Sequence, residues 1–380
     1  MKILHVADTH LGYSAYRKTT EEGINQREMD TYDAFKQVID YAVKSKPSLI
    51  LHAGDLFDSV RPTNRAITFA IKQLLRLSRQ DIPLVLIAGN HEQPKLKETG
   101  HIFTIFDHIQ HVYPIYGSSY ETRVFNINNK KVTIHALPQC QTKQQFNESL
   151  KKLKTDSSSH YNILLTHGSV KGIKEFSMNE FNERVIPVQS LKPRTDFNYI
   201  ALGHYHKYKK IHENAFYAGS TERFSFADAG EQKGFIELDL KEKLTPRFIN
   251  IPNRSMFDID PLDCSHLALG EIMNKIIKNI QSIEPNGKIF RIILKNIPKH
   301  IYRGIDFSTI RELSTGAIHF EIKANVTKEG ELKLPYRSNI DALAHEYERY
   351  LQNQSIKEKK ILLKLGLEYI DRIVSKDLEK

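Results

Sequence analysis

The chain has 380 residues, more than one ordinary core of about 100 to 200 residues accounts for, so two or three folding units are expected. With 40% apolar and 26% charged residues it is neither a disordered nor a membrane-spanning composition, and aliphatic runs such as Leu84 to Ala88 fall far short of the roughly 18 residues a membrane helix needs. Fifty-five Lys and Arg against 45 Asp and Glu leave a net charge of +10, which favours a polyanionic partner; two cysteines, Cys140 and Cys264, in separate regions argue against a disulfide framework and a thiolate zinc site and suit the reducing cytoplasm.

From Met1 onward, short apolar runs alternate with amphipathic segments, the pattern of an α/β domain whose helices cover a sheet. Met1 to Asp8 meets a carboxylate before a secretory apolar region could form, and Leu4 to Ala7 reads as an opening strand. Tyr32, Phe35, Val38, Ile39, Ala42 and Val43 make a helical stripe that ends at Lys46-Pro47, because proline disfavours helical geometry in the residue before it. Leu49 to Leu51 is the next strand, Pro62 to Ser78 the next helix with Ile67, Ile71, Leu74 and Leu75 on one face, and Leu84 to Ala88 the third strand. Arg123 to Ile127 and Lys131 to Leu137 alternate about Asn128-Asn129, a hairpin signal, so the sheet is expected to be mixed. Further strands are expected at Asn162 to Thr166, Tyr199 to Leu202, Ala215 to Ala218 and Phe235 to Leu240. A boundary is expected near Asn250, beyond which the helical spacing of Leu267 to Ile280 and the strands Lys288 to Leu294 and Ala317 to Ala324 make a smaller α+β unit. The end reads as helix: Ser355 and Glu358 form a capping-box pattern, and Leu362, Leu365, Tyr369, Ile370 and Ile373 form an apolar stripe that must be covered by something.

Five short clusters each follow an expected strand: Asp8-Thr9-His10, Gly54-Asp55-Leu56-Phe57-Asp58, Gly89-Asn90-His91, His167-Gly168 and Gly203-His204-Tyr205-His206. Ligands of open α/β sheets bind beyond the carboxyl ends of strands, so these clusters are expected to converge on one edge. In extended backbone, side chains two positions apart point the same way, which lets D-x-H and H-x-H chelate one centre. Glycines before Asp55, Asn90 and His204 permit a tight turn and close backbone approach. Together Asp8, His10, Asp55, Asn90, His167, His204 and His206 offer two carboxylates, one amide oxygen and four imidazoles. That mixture suits two divalent ions, and manganese, iron or zinc before magnesium or calcium. Two such ions about 3.5 to 4 Å apart acidify a shared water and clamp the attacking and leaving oxygens of a phosphoester, so phosphoester hydrolysis is the expected chemistry. Any one cluster has an ordinary structural explanation as a cap or a turn; five in this order at strand ends do not. His5, His52 and His135 lie inside strand patterns and read as core histidines.

These blocks resemble those of the calcineurin-like metallophosphoesterases, whose D-x-H, GD-x-x-D, GNH, H and GH-x-H motifs are all present from Asp8 to His206. Within that superfamily the chain is similar to the SbcD-like nucleases of DNA double-strand-break repair. The likeness lies in Ala7-Asp8-Thr9-His10-Leu11-Gly12-Tyr13, Gly54 to Asp58 with Arg61-Pro62, and Ala201 to Lys207. The resemblance implies mixed β-sheets flanked by helices in a nuclease domain over residues 1–250. It further implies an α+β domain over 251–335 that caps DNA, and a helical tail over 336–380 that docks on the coiled coil of an SMC-like ABC ATPase. It implies one ion held by Asp8, His10, Asp55 and His206, a second by Asp55, Asn90, His167 and His204, Asp55 as the bridge, and manganese as the metal. His91 matches the family residue that acts beside the leaving group as proton donor or transition-state stabiliser. Asp58 departs from the pattern, standing where many relatives carry a phosphate-contacting histidine. An acid cannot give that hydrogen bond, and Asp58 is expected instead to orient a histidine ligand.

The function so implied is a manganese-dependent nuclease at DNA ends, an exonuclease on duplex in the 3′ to 5′ direction and an endonuclease on single strands. It would be a nucleoid-associated homodimer without a membrane partner, paired through Arg65 to Leu77 and Ile102 to Ile109. Two other readings use the same residues. A phosphatase or phosphodiesterase of small esters is disfavoured by the chain beyond residue 250 and by the positive charge, and a non-catalytic scaffold by the complete ligand set.

Overall fold

In the computed structural model, which describes residues 1–171, 183–187, 191, 196–240, 244–327, 347–348, 351 and 359–377, the chain begins β1 (Lys2–Val6), α1 (Gln26–Ser45), β2 (Leu49–His52), α2 (Asn64–Ser78), β3 (Leu84–Ile87) and β4 (Val112–Ile115). α1 starts where the Asn25 side chain accepts the Arg27 amide and stops at Lys46, which turns left-handed (φ 45°) ahead of Pro47. α2 starts two residues later than its sequence pattern indicated, because Thr63 stays extended and caps the Ala66 amide. Next comes the hairpin β5 (Glu121–Ile127) and β6 (Lys130–Leu137). Its turn residues Asn128 and Asn129 both have positive φ (48° and 60°), the geometry that matches the twist of paired strands. The order continues with α3 (Lys143–Lys152), β7 (Tyr161–His167), the small pair β8 (Ser169–Lys171) and β9 (Val185–Pro187), β10 (Tyr199–Gly203), β11 (Lys209–His212), β12 (Ala215–Tyr217), β13 (Gly234–Leu240) and β14 (Leu244–Asn250).

Where the sequence signalled a mixed sheet there are two, each of six strands, in the orders β14-β13-β1-β2-β3-β4 and β11-β12-β10-β7-β6-β5. β1 to β4 run parallel in the first, and β6, β7, β10 and β12 in the second. Alternate residues of the central strands serve different cores. Ile3, Leu49, Leu51, Val85 and Ile87 pack against Ile134, Ala136, Ile163, Leu165 and Ala201 of the other sheet. Leu4, Ile50, Leu84 and Leu86 pack beneath Phe35, Val38 and Ile39 of α1 and Ala70 and Leu74 of α2, and Leu164 and Ile200 of the second sheet join Phe146 of α3. Strands buried on both faces read as unbroken apolar runs, which explains the sequence pattern. At roughly 1.5 to 3 kcal/mol for each fully buried Val, Leu, Ile or Phe side chain, this packing holds the strands rigidly enough to fix the loops at their carboxyl ends.

By internal contacts the chain groups into two units, Met1–Pro261 with Lys275–Ile293 and Phe307–Lys323, and Leu262–Asn274 with Leu294–Asp306 and Ala324–Lys380. β15 (Met256–Asp263), β16 (Ile289–Pro298) and β17 (His319–Thr327) pair in that order, with α4 (Leu269–Ser282), α5 (Lys299–Arg303) and α6 (Phe307–Leu313) between them in the chain. In the first unit Phe290 packs against Phe257 and Phe320, and Arg291 grips Asp258 through two nitrogens at 2.7 and 2.9 Å. In the second, the Cys264 amide donates to the Lys295 carbonyl, and Tyr347 donates to the Leu362 carbonyl (2.8 Å) of the C-terminal helix Lys359–Asp377. Leu362, Leu365 and Tyr369 of that helix are exposed. Ser355, Glu358 and the side chains of Ile370 and Ile373 lie outside the described residues. No described helix is long and apolar enough to cross a membrane.

Candidate metal centre

The loops that follow β1 and β2 are zipped together by their backbones. The amides of Thr9 and His10 both donate to the Asp55 carbonyl (2.9 and 3.0 Å), that of Asp8 to Gly54 (3.0 Å) and that of Leu11 to Leu56 (2.8 Å). Within this arrangement Asp8, His10, Asp55 and His204 all take positive φ (51°, 43°, 54° and 100°), a conformation that costs a non-glycine residue of order 1–3 kcal/mol. Such strain persists where the surrounding structure enforces it, and here it aims four of the seven side chains expected as ligands. Gly89 lies so close to Asp55 that a Cβ there would sit 2.0 Å from the Asp55 Oδ1. Only glycine lets the loops after β2 and β3 meet.

All seven donors converge. Their ligand atoms form overlapping triads within 4.8 Å, Asp8 with His10 and His206, His10 with Asp55 and His91, and Asp55 with His167 and His204. Asn90 lies between two of the rings, its Oδ1 2.9 Å from His167 Nε2 and 3.0 Å from His204 Nδ1. His10 and His206 face each other through their Nε2 atoms at 3.3 Å. Every one of the seven is buried.

The donor chemistry fits cations. His167 Nδ1 donates to the Ala53 carbonyl (2.7 Å), which leaves the lone pair of a neutral ring on Nε2. Nε2 points at Asn90 Oδ1 and, at 3.2 Å, at Asp55 Oδ2, so the position between these oxygens must be filled by positive charge, either a proton on the ring or a cation that the neutral ring would ligate. Asp55 Oδ2 is itself buried without a hydrogen-bond partner among the described residues. Electrostatics say the same. Burial opposes the Asp55 charge, yet the neighbouring His167 and His91 hold its carboxyl well below the usual range, while burial lifts Asp8 to about 6. Burial likewise opposes a proton on His167, but Asp55 and Asp8 reverse this and raise it to about 9; His206, buried beside His10, falls well below the ordinary imidazole value. Two buried carboxylates thus attract positive charge, which divalent ions supply more fully than one proton on a ring.

A family model described as calcineurin-like phosphoesterase matches residues 1–208. The DNA double-strand break repair protein Mre11 of Sulfurisphaera tokodaii is 30% identical over 384 aligned positions, covering 95% of this chain and 92% of that protein. The chain belongs to the Mre11 family of calcineurin-like phosphoesterases. The Mre11 proteins of Methanococcus maripaludis and Methanocaldococcus jannaschii are 34% and 31% identical over 239 and 255 positions. Those matches span 61% and 63% of this chain and 60% and 62% of the two relatives. As a member of the Mre11 family the chain is a divalent-metal-dependent phosphodiester hydrolase.

Around the donors of this Mre11-family centre stand residues with no signal in the sequence pattern. Glu92, fully buried, accepts the amides of Phe57 and Gly89 (both 2.8 Å) and so ties the second cluster to the third. Glu183 lies 3.1 Å from His204 Nε2, Phe224 packs edge-on against His10 and His206, and buried Lys233 donates to the His206 carbonyl (2.7 Å) and pairs with Asp228. Asp58 Oδ1 lies 3.2 Å from His10 Nδ1, and His91 Nδ1 donates to the Asp58 carbonyl (2.9 Å). His5 bonds Tyr199 and the Leu202 carbonyl, His52 bonds Thr9, and His135 bonds Tyr120 and Asn162. Burial pushes His5 and His52 down to about 3, so both are neutral core residues.

Proposed function

We propose that this chain is a manganese-dependent nuclease that processes DNA double-strand-break ends, removing nucleotides 3′ to 5′ from duplex and cutting single strands internally. The observation that carries the reading is the convergence of seven buried oxygen and nitrogen donors in overlapping clusters around Asp8 and Asp55, in a chain similar along nearly its whole length to a DNA double-strand break repair protein. In this reading Asp8, His10, Asp55 and His206 hold one ion, and Asp55, Asn90, His167 and His204 the other. Ions bound there supply an acidified water and neutralise charge on the phosphoryl oxygens. The His91 amide donates to Asp55 Oδ1 (3.0 Å), which fixes the orientation of the carboxylate that would be shared by the two ions. His91, whose Nδ1 donates to the Asp58 carbonyl, would stand beside the leaving oxygen as its proton donor. Asp58 holds the His10 ring in place. Mixed nitrogen and oxygen donors without thiolate suit manganese, as they do iron or zinc, and the family resemblance favours manganese among them.

The net charge of +10 supports binding through backbone phosphates, without base reading. In the same reading residues 251–335 cap DNA and the tail docks on an SMC-like ABC ATPase. Two copies pair through 65–77 and 102–109, where Ile67, Ile71, Leu75, Ile102 and Ile105 are only partly buried, and the protein works in the cytoplasm on the nucleoid. The test is incubation with manganese and either labelled duplex DNA or para-nitrophenyl phosphate. Release of nucleotides from the duplex, lost in Asp55→Ala and His91→Ala, is the expected result. Turnover of the small ester alone would instead establish a phosphatase, and equal cleavage by wild type and variants a contaminant.

A further inference from the structure

Within the first unit lies a cavity of about 870 Å³ that none of the seven donors lines. Among the described residues its wall combines four rings, Tyr16, Phe307, His319 and Phe320, with three cations, Arg17, Lys18 and Arg311, and contains no carboxylate. The nearby Glu321 faces Arg291 instead (4.0 Å). Tyr16 holds a left-handed conformation (φ 61°) that a bulky side chain adopts only where its surroundings enforce it, and its ring stacks on His319 with centroids 3.9 Å apart and planes 11° from parallel. The volume is that of a small-ligand pocket, about 300 to 1,000 Å³, large enough for a nucleotide and too small for a duplex.

The cavity is also connected to the metal centre. Phe224 packs on His10 and His206 (4.6 and 5.2 Å between centroids), and Phe226, two residues further, lies 6.2 Å from the His319 ring. On the other side, the loop after β1 carries His10, then Tyr13, whose hydroxyl donates to the Phe224 carbonyl (2.6 Å), then Tyr16. Two short segments thus run from the metal ligands to the cavity wall, so a strand with one phosphate at the metals can follow them toward the cavity. Aromatic faces with flanking cations are how unpaired bases and their phosphates are bound without regard to sequence.

We infer that this cavity takes one unpaired nucleotide of the bound strand, its base against Tyr16, His319 and Phe320 and its phosphates against Arg17, Lys18 and Arg311. The inference rests on the nuclease reading above and extends it: the enzyme recognises ends and loops by their unpaired nucleotides. The full-length protein with calcium is titrated, by fluorescence anisotropy, into a labelled single-stranded oligonucleotide and a labelled blunt duplex, with Arg17→Glu, Arg311→Glu and Phe320→Ala in parallel. Manganese-dependent hydrolysis of bis-para-nitrophenyl phosphate reports on the metal centre alone. The charge reversals are expected to keep that hydrolysis while losing about ten-fold or more in single-strand affinity and clearly less on blunt duplex. Phe320→Ala is expected to show the same preference with no change of charge, and if it loses the small-ester activity through misfolding, the exposed Arg17 and Arg311 variants still decide. Equal losses on both DNAs would show general attraction to phosphate and overturn the inference, as would wild-type single-strand affinity in the charge reversals. Wild-type protein that hydrolyses the small ester but neither binds nor cuts DNA would remove the nuclease reading itself.

Discussion

His10 is held from two sides, its Nδ1 by the Asp58 carboxylate at 3.2 Å and its Nε2 beside His206 at 3.3 Å. Asp58 lies outside the buried donor cluster, so its loss frees a ring without removing a ligand. Asp58→Ala is therefore expected to retain both metals by elemental analysis and to lose about 10- to 100-fold in hydrolysis, the usual effect of deleting a group that orients a metal-bound histidine; a protein stripped of metal would refute this role. Gly89→Ala is expected to do the opposite. Its methyl would enter the space of Asp55 Oδ1 (2.0 Å) and of the Asp55 backbone nitrogen (2.4 Å), so the loop after β2 must shift and carry the Asp55 carboxylate with it. Metal content should fall with the fold intact by circular dichroism, and hydrolysis should drop at least about 100-fold. Normal metal loading in that variant would mean that the loops have room the structure does not show. The seven donors were legible because all of them sit in five short strand-end motifs. Glu92 and Lys233 were not, because they bond to backbone amides and a carbonyl, and no spacing of side chains encodes such a partner.

The junction of α1 and β2 turns on one residue. Lys46 is exposed, adopts φ 45° and donates its amide to the Ala42 carbonyl, closing the helix before Pro47. Glycine takes that conformation without strain, so Lys46→Gly should raise stability by about 0.5–1 kcal/mol in chemical denaturation at fixed metal concentration; a loss of stability would show that the Lys46 side chain holds the turn. At this scale three of the missed strands have a common cause. β4, β11 and β14 are all edges of their sheets. β4 contains Pro114 and β14 contains Pro246, tolerated where one side of the ladder is unpaired, and β11 is the polar stretch Lys209–His212. Features that protect an edge erase the pattern by which a strand is recognised. The division into two sheets was hidden for a different reason: central strands buried on both faces carry no mark of which sheet they join.

The whole molecule carries a surplus of ten positive charges and a helix whose apolar face is left in water. If DNA is bound through its phosphates, affinity must fall with salt with a logarithmic slope of about −0.9 for each phosphate neutralised, measurable by anisotropy between roughly 50 and 200 mM salt; a flat response would place recognition elsewhere. In the C-terminal helix Ile361, Leu365 and Tyr369 recur every fourth residue and are 59%, 57% and 69% exposed. The second unit already holds this helix by Tyr347, whose hydroxyl bonds the Leu362 carbonyl and whose ring leaves no space for a Cβ at Gly366. The exposed face adds nothing to that contact, so removing its apolar character should leave the chain itself undisturbed. The double variant Leu365→Glu, Tyr369→Glu is expected to unfold within about 0.5 kcal/mol of wild type and to hydrolyse small phosphodiesters equally, as surface substitutions do. If the tail docks on a coiled-coil ABC ATPase as proposed, the variant is also expected to stop co-eluting with it in size-exclusion chromatography, because charges on a helix face cannot enter an apolar groove without large desolvation penalties. Co-elution like wild type would move the docking site off this helix, and a variant that unfolds would mean that the stripe is buried by the chain's own residues in solution.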